Sequence, residues 1–366
     1  AIAKPPSISS AQVIRDAQEA FKDSSLFESW FQREQYHRDS QSHNQKRKRT
    51  SRKQRQPIQV KIGHGGTLDP MATGVLVLGI GSGTKSLKKF LECTKSYECV
   101  VLFGTATDSY DAVGAVVARK SYAHVTKTMV EEALATFRGK IMQRPPIFSA
   151  LRVQGKKLYE YAREGKEVPV EIQERPVEVK SLELVEWMQG GQHKWRWPEE
   201  EAEPAAKSVA ERVLHLEKKE AGEKRKRDED DETGHPSEPS PSKRKRASQD
   251  EAGTAAHQQP TSPMGNPDHP PEQVHIPPCP APAARLRMTV TSGFYVRSLC
   301  HDLGHAVGSL GLMSSLVRTR QADFELGKNV LPYEDLAKGE EVWAKNLEPM
   351  LKAWATNEQE DDVSAH

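Results

Sequence analysis

Residues 63–76 read GHGGTLDPMATGVL, a polar, glycine-dense loop that runs into an apolar strand. Its first three glycines let the backbone approach a ligand closely. Pro70 steers Asp69 away from the helical region and toward an extended conformation. The loop therefore reads as built to hold one carboxylate in a fixed pose. Local chemistry leaves a second reading open, because a loop of Gly, Asp and Pro is more often a plain turn.

Working outward, the chain shows mixed helix and strand. Ala1-Ile2-Ala3-Lys4-Pro5 reads as the end of a strand, and Ser9 followed by Gln12 resembles a capping box. Val13, Ile14, Ala17 and Phe21 fall on one face, so a helix is expected from about Ser10 to Phe21. A strand is expected over Ile58–Ile62, and YECVVLFG (97–104) with VGAVVA (113–118) reads as a hairpin joined by a polar turn. Met129, Val130, Ala133, Leu134 and Phe137 recur at helical spacing, with Gly139 placed as a C-terminal cap. Apolar runs at 176–186 and 285–292 read as two strands, and a helix from about Tyr295 to Val307 presents Val296, Leu299, Cys300, Leu303 and Val307 to the core. The pattern predicts an α+β fold, rich in strands and without regular βαβ alternation.

Charge is unevenly distributed along the 366 residues. The net charge of +2 hides a basic loop at 37–57, with eight Lys/Arg against one acid, and an acidic stretch from Tyr333 onward, with nine acids against three bases. Residues 217–273 contain no Ile, Leu, Val, Phe, Trp or Tyr, and hold eight prolines with 13 acidic and 10 basic side chains. Such a stretch buries too little apolar surface to offset its conformational entropy, so a disordered insertion of about 199–284 is expected between the two strands. No window approaches the length of apolar chain that crosses a membrane as a helix. Cys93, Cys99, Cys279 and Cys300 form no C-x-x-C pair, which argues against a structural zinc site and a disulfide scaffold. GIGSGTKS at 79–86 superficially suggests a phosphate loop, but Thr84 stands where a Walker A motif needs glycine. Asp108 and Asp111 sit in the expected hairpin turn, where they more plausibly satisfy backbone donors than hold a metal.

GHGGTLDPMATGVL closely resembles the catalytic loop of the TruB family of RNA pseudouridine synthases, and the similarity recurs in order along the chain. Lys4-Pro5 through Ser10 resembles that family's opening K-P-x-G-x-T/S-S stretch, with Pro6-Ser7 where glycine is usual. Lys95-Ser96-Tyr97 resembles its K-x-Y motif, and TDSYDAVG (107–114) its T-D-T-x-D-x-x-G motif. QRPPIFSALRVQGKKLYEYAREG (143–165) resembles the thumb-loop block, with Arg152 where lysine is common. SGFYVRSLCHDLG (292–304) is similar to the arginine-bearing strand-to-helix motif. LVRTRQADFEL (316–326) resembles a wall segment of the family, with Arg320 where an apolar residue is usual.

The resemblance implies a catalytic domain over 1–332, built on a mixed, largely antiparallel sheet with a cleft across it, followed by an acidic tail at 333–366. Bacterial members carry a C-terminal RNA-binding PUA domain, and the short acidic remainder of this chain leads us to expect none. Asp69 then matches the nucleophilic carboxylate, and Arg297 the arginine that pairs with it and keeps it ionised. Tyr97 matches the tyrosine that stacks on the flipped base and is a candidate for moving a proton late in the reaction. His64 matches the histidine that holds the flipped RNA conformation, while Lys95, Arg144, Arg152, Lys156, Lys157 and Arg163 fall in the matched RNA-contacting blocks. Each has a blander reading: Arg297 as a surface arginine at a helix start, Tyr97 as core, His64 as a solvated loop histidine.

The implied activity is conversion of uridine-55 to pseudouridine in the TΨC loop of tRNA, without cofactor, metal or guide, by a monomer. A guide-RNA-dependent relative and a non-catalytic tRNA chaperone are the alternatives, and mRNA stem-loops stand as further candidate substrates. The first KRKR cluster, Lys46-Arg47-Lys48-Arg49, is almost free of acids and reads as an RNA contact. The clusters at 224–227 and 243–246 read as a bipartite import signal, with nucleus and/or mitochondrion as the expected destination. Neutralising Lys46, Arg47, Lys48 and Arg49 is expected to flatten the salt dependence of tRNA binding in a filter-binding titration. An unchanged slope would place that cluster off the RNA.

Overall fold

A strand with both faces covered reads as a continuous apolar run, and the run VVLF at 100–103 lies in the strand that occupies the middle of the main sheet. The computed structural model describes residues 1–40, 57–164, 168–203 and 279–364. These belong to one unit made of Ala1–Leu216 and Pro277–His366, while the second unit, Glu217–Ile276, lies outside the described residues. In chain order the strands are β1 (Ile2–Lys4), β2 (Ile62–His64), β3 (Thr73–Leu76), β4 (Leu78–Ile80), β5 (Lys95–Phe103), β6 (Thr105–Thr107), β7 (Val116–Arg119), β8 (Gly139–Gln143), β9 (Arg152–Val153), β10 (Lys156–Lys157), β11 (Arg175–Met188), β12 (Ala283–Val290), β13 (Gly311–Gln321), β14 (Phe324–Glu325) and β15 (Leu331–Pro332). The helices are α1 (Ser10–Ala20), α2 (Glu28–Asp39), α3 (Leu87–Glu92), α4 (Lys127–Thr136), α5 (Leu158–Arg163), α6 (Val296–Ala306) and α7 (Glu340–Ser364).

The main sheet runs β15-β1-β3-β13-β5-β12-β11-β8, with β14 paired to β13. Only β1–β15 and β3–β13 pair in parallel, so the expected mixed, largely antiparallel sheet is present. β11 and β12, the expected arms of the insertion, are antiparallel neighbours from Val179 opposite Val290 to Met188 opposite Ala283. The insertion begins later and ends earlier than expected: Glu201 bridges to Val116, Ala202 is buried, and Ala283 and Ala284 are already strand.

The expected first helix forms as α1, where the Ser9 side chain accepts from Gln12 N and Val13 and Ala17 are buried. Three other expectations are corrected. The strand expected at 58–62 forms instead as Ile62–His64, in a ribbon that places Gly63 opposite Gly79. The hairpin partner of Val116–Arg119 is Thr105–Thr107, because Gly104 at φ +92° breaks the chain from β5, which pairs with β12 and β13. Phe137, not Gly139, closes α4; Gly139 at φ +79° opens β8.

The acidic stretch after Tyr333 is not an unattached tail. β15 joins the sheet edge beside β1, and α7 follows, with Trp343 buried against Phe21 at a ring-centroid distance of 4.9 Å and Leu347 one turn further on, also buried. At the start of α7, Glu340 accepts from Ser24 Oγ, Ser25 Oγ and Leu26 N, so one of the acids itself fastens the helix. A mostly apolar cavity of about 230 Å³, lined by Phe21, Leu78, Phe90, Leu347 and Trp354 among others, lies beneath α7. None of the charged site residues reaches it. Trp343→Ala is expected to lower stability by about 3–5 kcal/mol in urea unfolding, as for other buried aromatics; a change within about 0.5 kcal/mol is what a surface substitution gives and would mean the helix does not dock.

Candidate active site

Between β2 and β3 the chain bulges outward as the loop Gly65–Ala72, and four side chains from distant elements hold its backbone. Lys4, at the end of β1, is almost wholly buried, and its three N–H donors reach Pro5 O at 2.8 Å, Pro70 O at 2.9 Å and Ala72 O at 2.6 Å. Ser10, in the first turn of α1, exchanges hydrogen bonds with Leu68: its Oγ donates to Leu68 O at 3.0 Å or accepts from Leu68 N at 2.9 Å. From β13, Arg318 donates to Val75 O at 2.7 Å and Gly66 O at 3.0 Å, and Gln321 donates to Gly65 O and to Phe90 O. Gly74 is required where β3 meets β13: at φ +98° it brings the backbone so close that a Cβ would lie 2.3 Å from Arg318 O.

Asp69 stands at the outer turn of this fixed loop. Arg297, the second residue of α6, meets its carboxylate side-on, with Nε 2.9 Å from Oδ2 and Nη2 3.3 Å from Oδ1. The same guanidinium donates from Nη1 to Ser109 O at 2.9 Å and from Nη2 to Phe148 O at 2.8 Å. Asp111 Oδ2 lies 3.8 Å from Nε. Three loops therefore converge on one cation, which is 7% exposed while the Asp69 side chain remains 34% exposed. The start of α6 is itself tied to the end of β8: Gln143 exchanges two hydrogen bonds with Tyr295, and Ser298 Oγ donates to Arg144 O at 2.8 Å.

Asp111 takes the turn role expected from sequence and a second position that sequence reasoning missed, beside Arg297. Its Oδ1 does serve the turn, accepting from Val113 N at 3.1 Å and Ser109 Oγ at 2.6 Å, but its other oxygen faces Arg297. Burial pushes its carboxyl up, and the Ser109 hydrogen bond and the Arg297 charge work against that. Asp108 behaves as expected of a turn residue, accepting from Ala115 N at 3.1 Å. Among the described residues no cluster of His, Cys, Asp and Glu has the makings of a metal site.

The remaining expected residues separate into several groups. Tyr97 lies on β5 opposite Met288 of β12 and Arg318 of β13, and shares a core cluster with Leu68 and Ala72 on either side of Asp69. His64 ends β2; burial and the nearby Arg318 charge lower its pKa, and its Nδ1 is buried without a hydrogen-bond partner among the described residues. Lys95 is turned inward instead: its ammonium donates to Leu91 O at 3.0 Å and Cys93 O at 2.7 Å at the end of α3, so it is part of the wall and not an exposed phosphate partner. In the thumb block, Arg144 pairs with Glu171 at 3.4 Å and Arg152 donates to Gly155 O. Lys156 pairs with Glu164 at 2.6 Å and lies over Tyr161, while Lys157 donates to the Tyr159 hydroxyl. Arg163 is the last residue of α5, but its side chain, like all of Lys46, Arg47, Lys48 and Arg49, lies outside the described residues.

Comparison with known proteins gives the family. A family model described as TruB family pseudouridylate synthase (N terminal domain) matches residues 48–197. The chain is 38% identical over 332 residues to tRNA pseudouridine synthase 4 of Schizosaccharomyces pombe, covering 89% of this chain and 79% of that protein. It is 35% identical over 366 residues to tRNA pseudouridine synthase 4 of Saccharomyces cerevisiae, covering 97% and 85%. A shorter match, 44% identical over 134 residues, links it to tRNA pseudouridine synthase B of Synechocystis. Among solved structures, a Cbf5-Nop10-Gar1 complex is similar with 17% identity and a TM-score of 0.44, covering 92% of this chain and 52% of that one, so this chain spans about half its length. The chain belongs to the TruB family of pseudouridine synthases.

Burial lowers the Lys4 pKa to about 8, with the Arg318 charge acting the same way and Asp69 against it. Between pH 8 and the ordinary lysine value of 10.5 the unfolded chain holds a proton that the folded chain has released, so this group's contribution to stability rises with pH across that window. Lys4→Met leaves carbonyls unpaired and is expected to cost about 2–4 kcal/mol at pH 7 in urea unfolding, since each unmet buried group costs about 1–3 kcal/mol. Its stability between pH 8 and 10.5 is expected to rise less steeply than that of the wild type. Parallel curves would show that Lys4 keeps its proton throughout.

Proposed function

We propose that the protein converts uridine-55 in the TΨC loop of tRNA to pseudouridine, without a guide RNA, with Asp69 as nucleophile. The observation that carries this reading is the unequal exposure of the ion pair: Arg297 is tucked beneath, and Asp69 turns a partly open carboxylate toward solvent. Arg297 is also committed to Ser109 O and Phe148 O, whereas Asp69 keeps an open face that a substrate can reach. Support for tRNA as substrate comes from the two yeast relatives, whose names specify tRNA and which match this chain over most of its length.

A base inside a stacked loop is out of reach, so the RNA must present it flipped into the cleft, at a cost of a few kcal/mol that contacts to the stem-loop offset. Asp69 then forms a bond to the nucleoside, the bond from the sugar to the base nitrogen breaks, and the detached ring turns. The sugar rejoins through a ring carbon, the bond to Asp69 breaks and returns its electron pair to the carboxylate, that carbon gives up its proton, and the freed nitrogen takes one, so the reaction is an isomerisation that needs no cofactor. Arg297 holds the carboxylate oriented through two charge-assisted hydrogen bonds while the base is bound. Tyr97 supplies the aromatic face for the flipped base and a hydroxyl for the late proton movement. His64, with its unpartnered Nδ1, supplies a buried polar atom for the flipped loop. The half-exposed Arg144, Lys156 and Lys157 are placed to meet phosphates of the stem, whose exchange for their present partners involves only surface pairs of small worth. The same shape-based grip suits mRNA stem-loops that mimic the T arm, and the paired basic clusters at 224–227 and 243–246 suit import into the nucleus.

An unmodified tRNA transcript, incubated without guide RNA and read position by position, is expected to gain pseudouridine at uridine-55 with the wild type and at no position with Asp69→Ala. Arg297→Lys keeps the charge but loses the side-on geometry, and is expected to lower kcat by about 10²–10³-fold with KM little changed. Modification that persists in Asp69→Ala would remove Asp69 as nucleophile. Silence in both proteins would return the guide-dependent and chaperone readings.

A further inference from the structure

Arg297 is oriented by Ser109 O and Asp111 Oδ2, and the residue between those two is Tyr110. Tyr110 sits at φ +65°, a left-handed conformation that a residue with a side chain seldom adopts. Such a conformation persists only where the surroundings over-determine it. Here the backbone is held by the Tyr110 N–H donating to Thr107 O at 3.2 Å, and the side chain by one flat contact. The Tyr110 ring stacks on the His301 imidazole at a centroid distance of 4.1 Å and an interplanar angle of 13°, and His301 in turn meets His305 edge-on at 4.5 Å. Both Tyr110 and His301 are buried.

Arg297 and His301 are four residues apart on α6, on the same face of the helix. One face of α6 therefore touches the turn at three successive residues: Arg297 at Ser109 and Asp111, His301 at Tyr110 between them. Tyr110 is also tied to the sheet, where its carbonyl accepts from Met313 N at 2.9 Å. The role falls to the ring and not to the hydroxyl, which burial keeps protonated. We infer that Tyr110 and His301 form a positioning pair, whose stack fixes the strained turn that aims the Arg297 guanidinium at Asp69. This rests on the reading of Asp69 and Arg297 as the reacting pair.

Four variants test it: Tyr110→Gly, which accepts the left-handed backbone and so folds without the ring; His301→Leu, which removes the flat partner; and Tyr110→Phe and His301→Phe, which keep a stackable ring. Single-turnover modification of a tRNA transcript is expected to slow about tenfold in Tyr110→Gly and His301→Leu, with RNA affinity unchanged. Both Phe variants are expected to recover wild-type rates to within about twofold, and the Tyr110→Gly/His301→Leu double variant to be no slower than either single one. A second readout needs no substrate. In protein labelled with ¹⁵N-arginine, the Nε–H resonance of Arg297, identified by its absence from Arg297→Lys, is expected to be sharp and slow to exchange in the wild type and both Phe variants. It is expected to broaden or vanish in Tyr110→Gly and His301→Leu. Unaltered rates and an unaltered Arg297 resonance in those two variants would overturn the proposal. So would losses that follow RNA affinity, or that the Phe variants fail to recover. A wild type inactive on tRNA would defeat the functional reading, and the resonance alone would then decide the fate of the stack.

Discussion

The guanidinium of Arg297 is the group on which the site depends. A buried arginine presents five donors in a rigid plane and tolerates burial only when acceptors surround it. Here the acceptors come from three separate loops: the Asp69 carboxylate, Ser109 O and Phe148 O, with Asp111 close by. These loops are 228, 188 and 149 residues away along the chain from Arg297, and no backbone hydrogen bond could gather them at one point. The cation thus does two things through one set of contacts. It ties the three loops together, and it fixes the Asp69 carboxylate in direction.

The loop that carries Asp69 is held by a second, similar device. Lys4 and Arg318 are among the largest fully buried side chains, and both direct their donors at main-chain carbonyls of this segment instead of at acids. Cations that capture carbonyls leave the loop's one carboxylate uncommitted to its own scaffold. The positive charge behind the loop also reaches His64, whose pKa is lowered first by burial and then by the Arg318 charge.

What was legible in the sequence follows the range of the interaction that fixes each feature. Local signals held: Ser9 caps α1, and the apolar runs on either side of the insertion pair as β11 and β12. The pairing of Asp69 with Arg297 was legible only through resemblance, since nothing at position 297 announces a partner so distant in the chain. Asp111 serves its turn as expected, and only its second oxygen, which acts across the fold, escaped the sequence reading. Lys95 was placed on RNA because a lysine beside a motif tyrosine reads as basic surface, yet the end of α3 offers it two carbonyls. Charge counting alone hid α7 behind the acidic composition after Tyr333; the spacing of Trp343, Leu347 and Leu351 is the signal that reveals its buried stripe.

These errors share a physical origin that also explains how the site works. Sequence patterns report where a side chain's nearest neighbours are, but a reactive group needs partners that do not move with it. Asp69 is held by β1, α1, β13 and α6, four elements that are neighbours of the loop in space and strangers to it in sequence. Because each is anchored in the sheet or its helical cover independently, a thermal displacement of one is not passed to the carboxylate by the others. That is a form of preorganisation: rigidity is concentrated behind the Asp69 carboxylate, whose side chain stays 34% exposed.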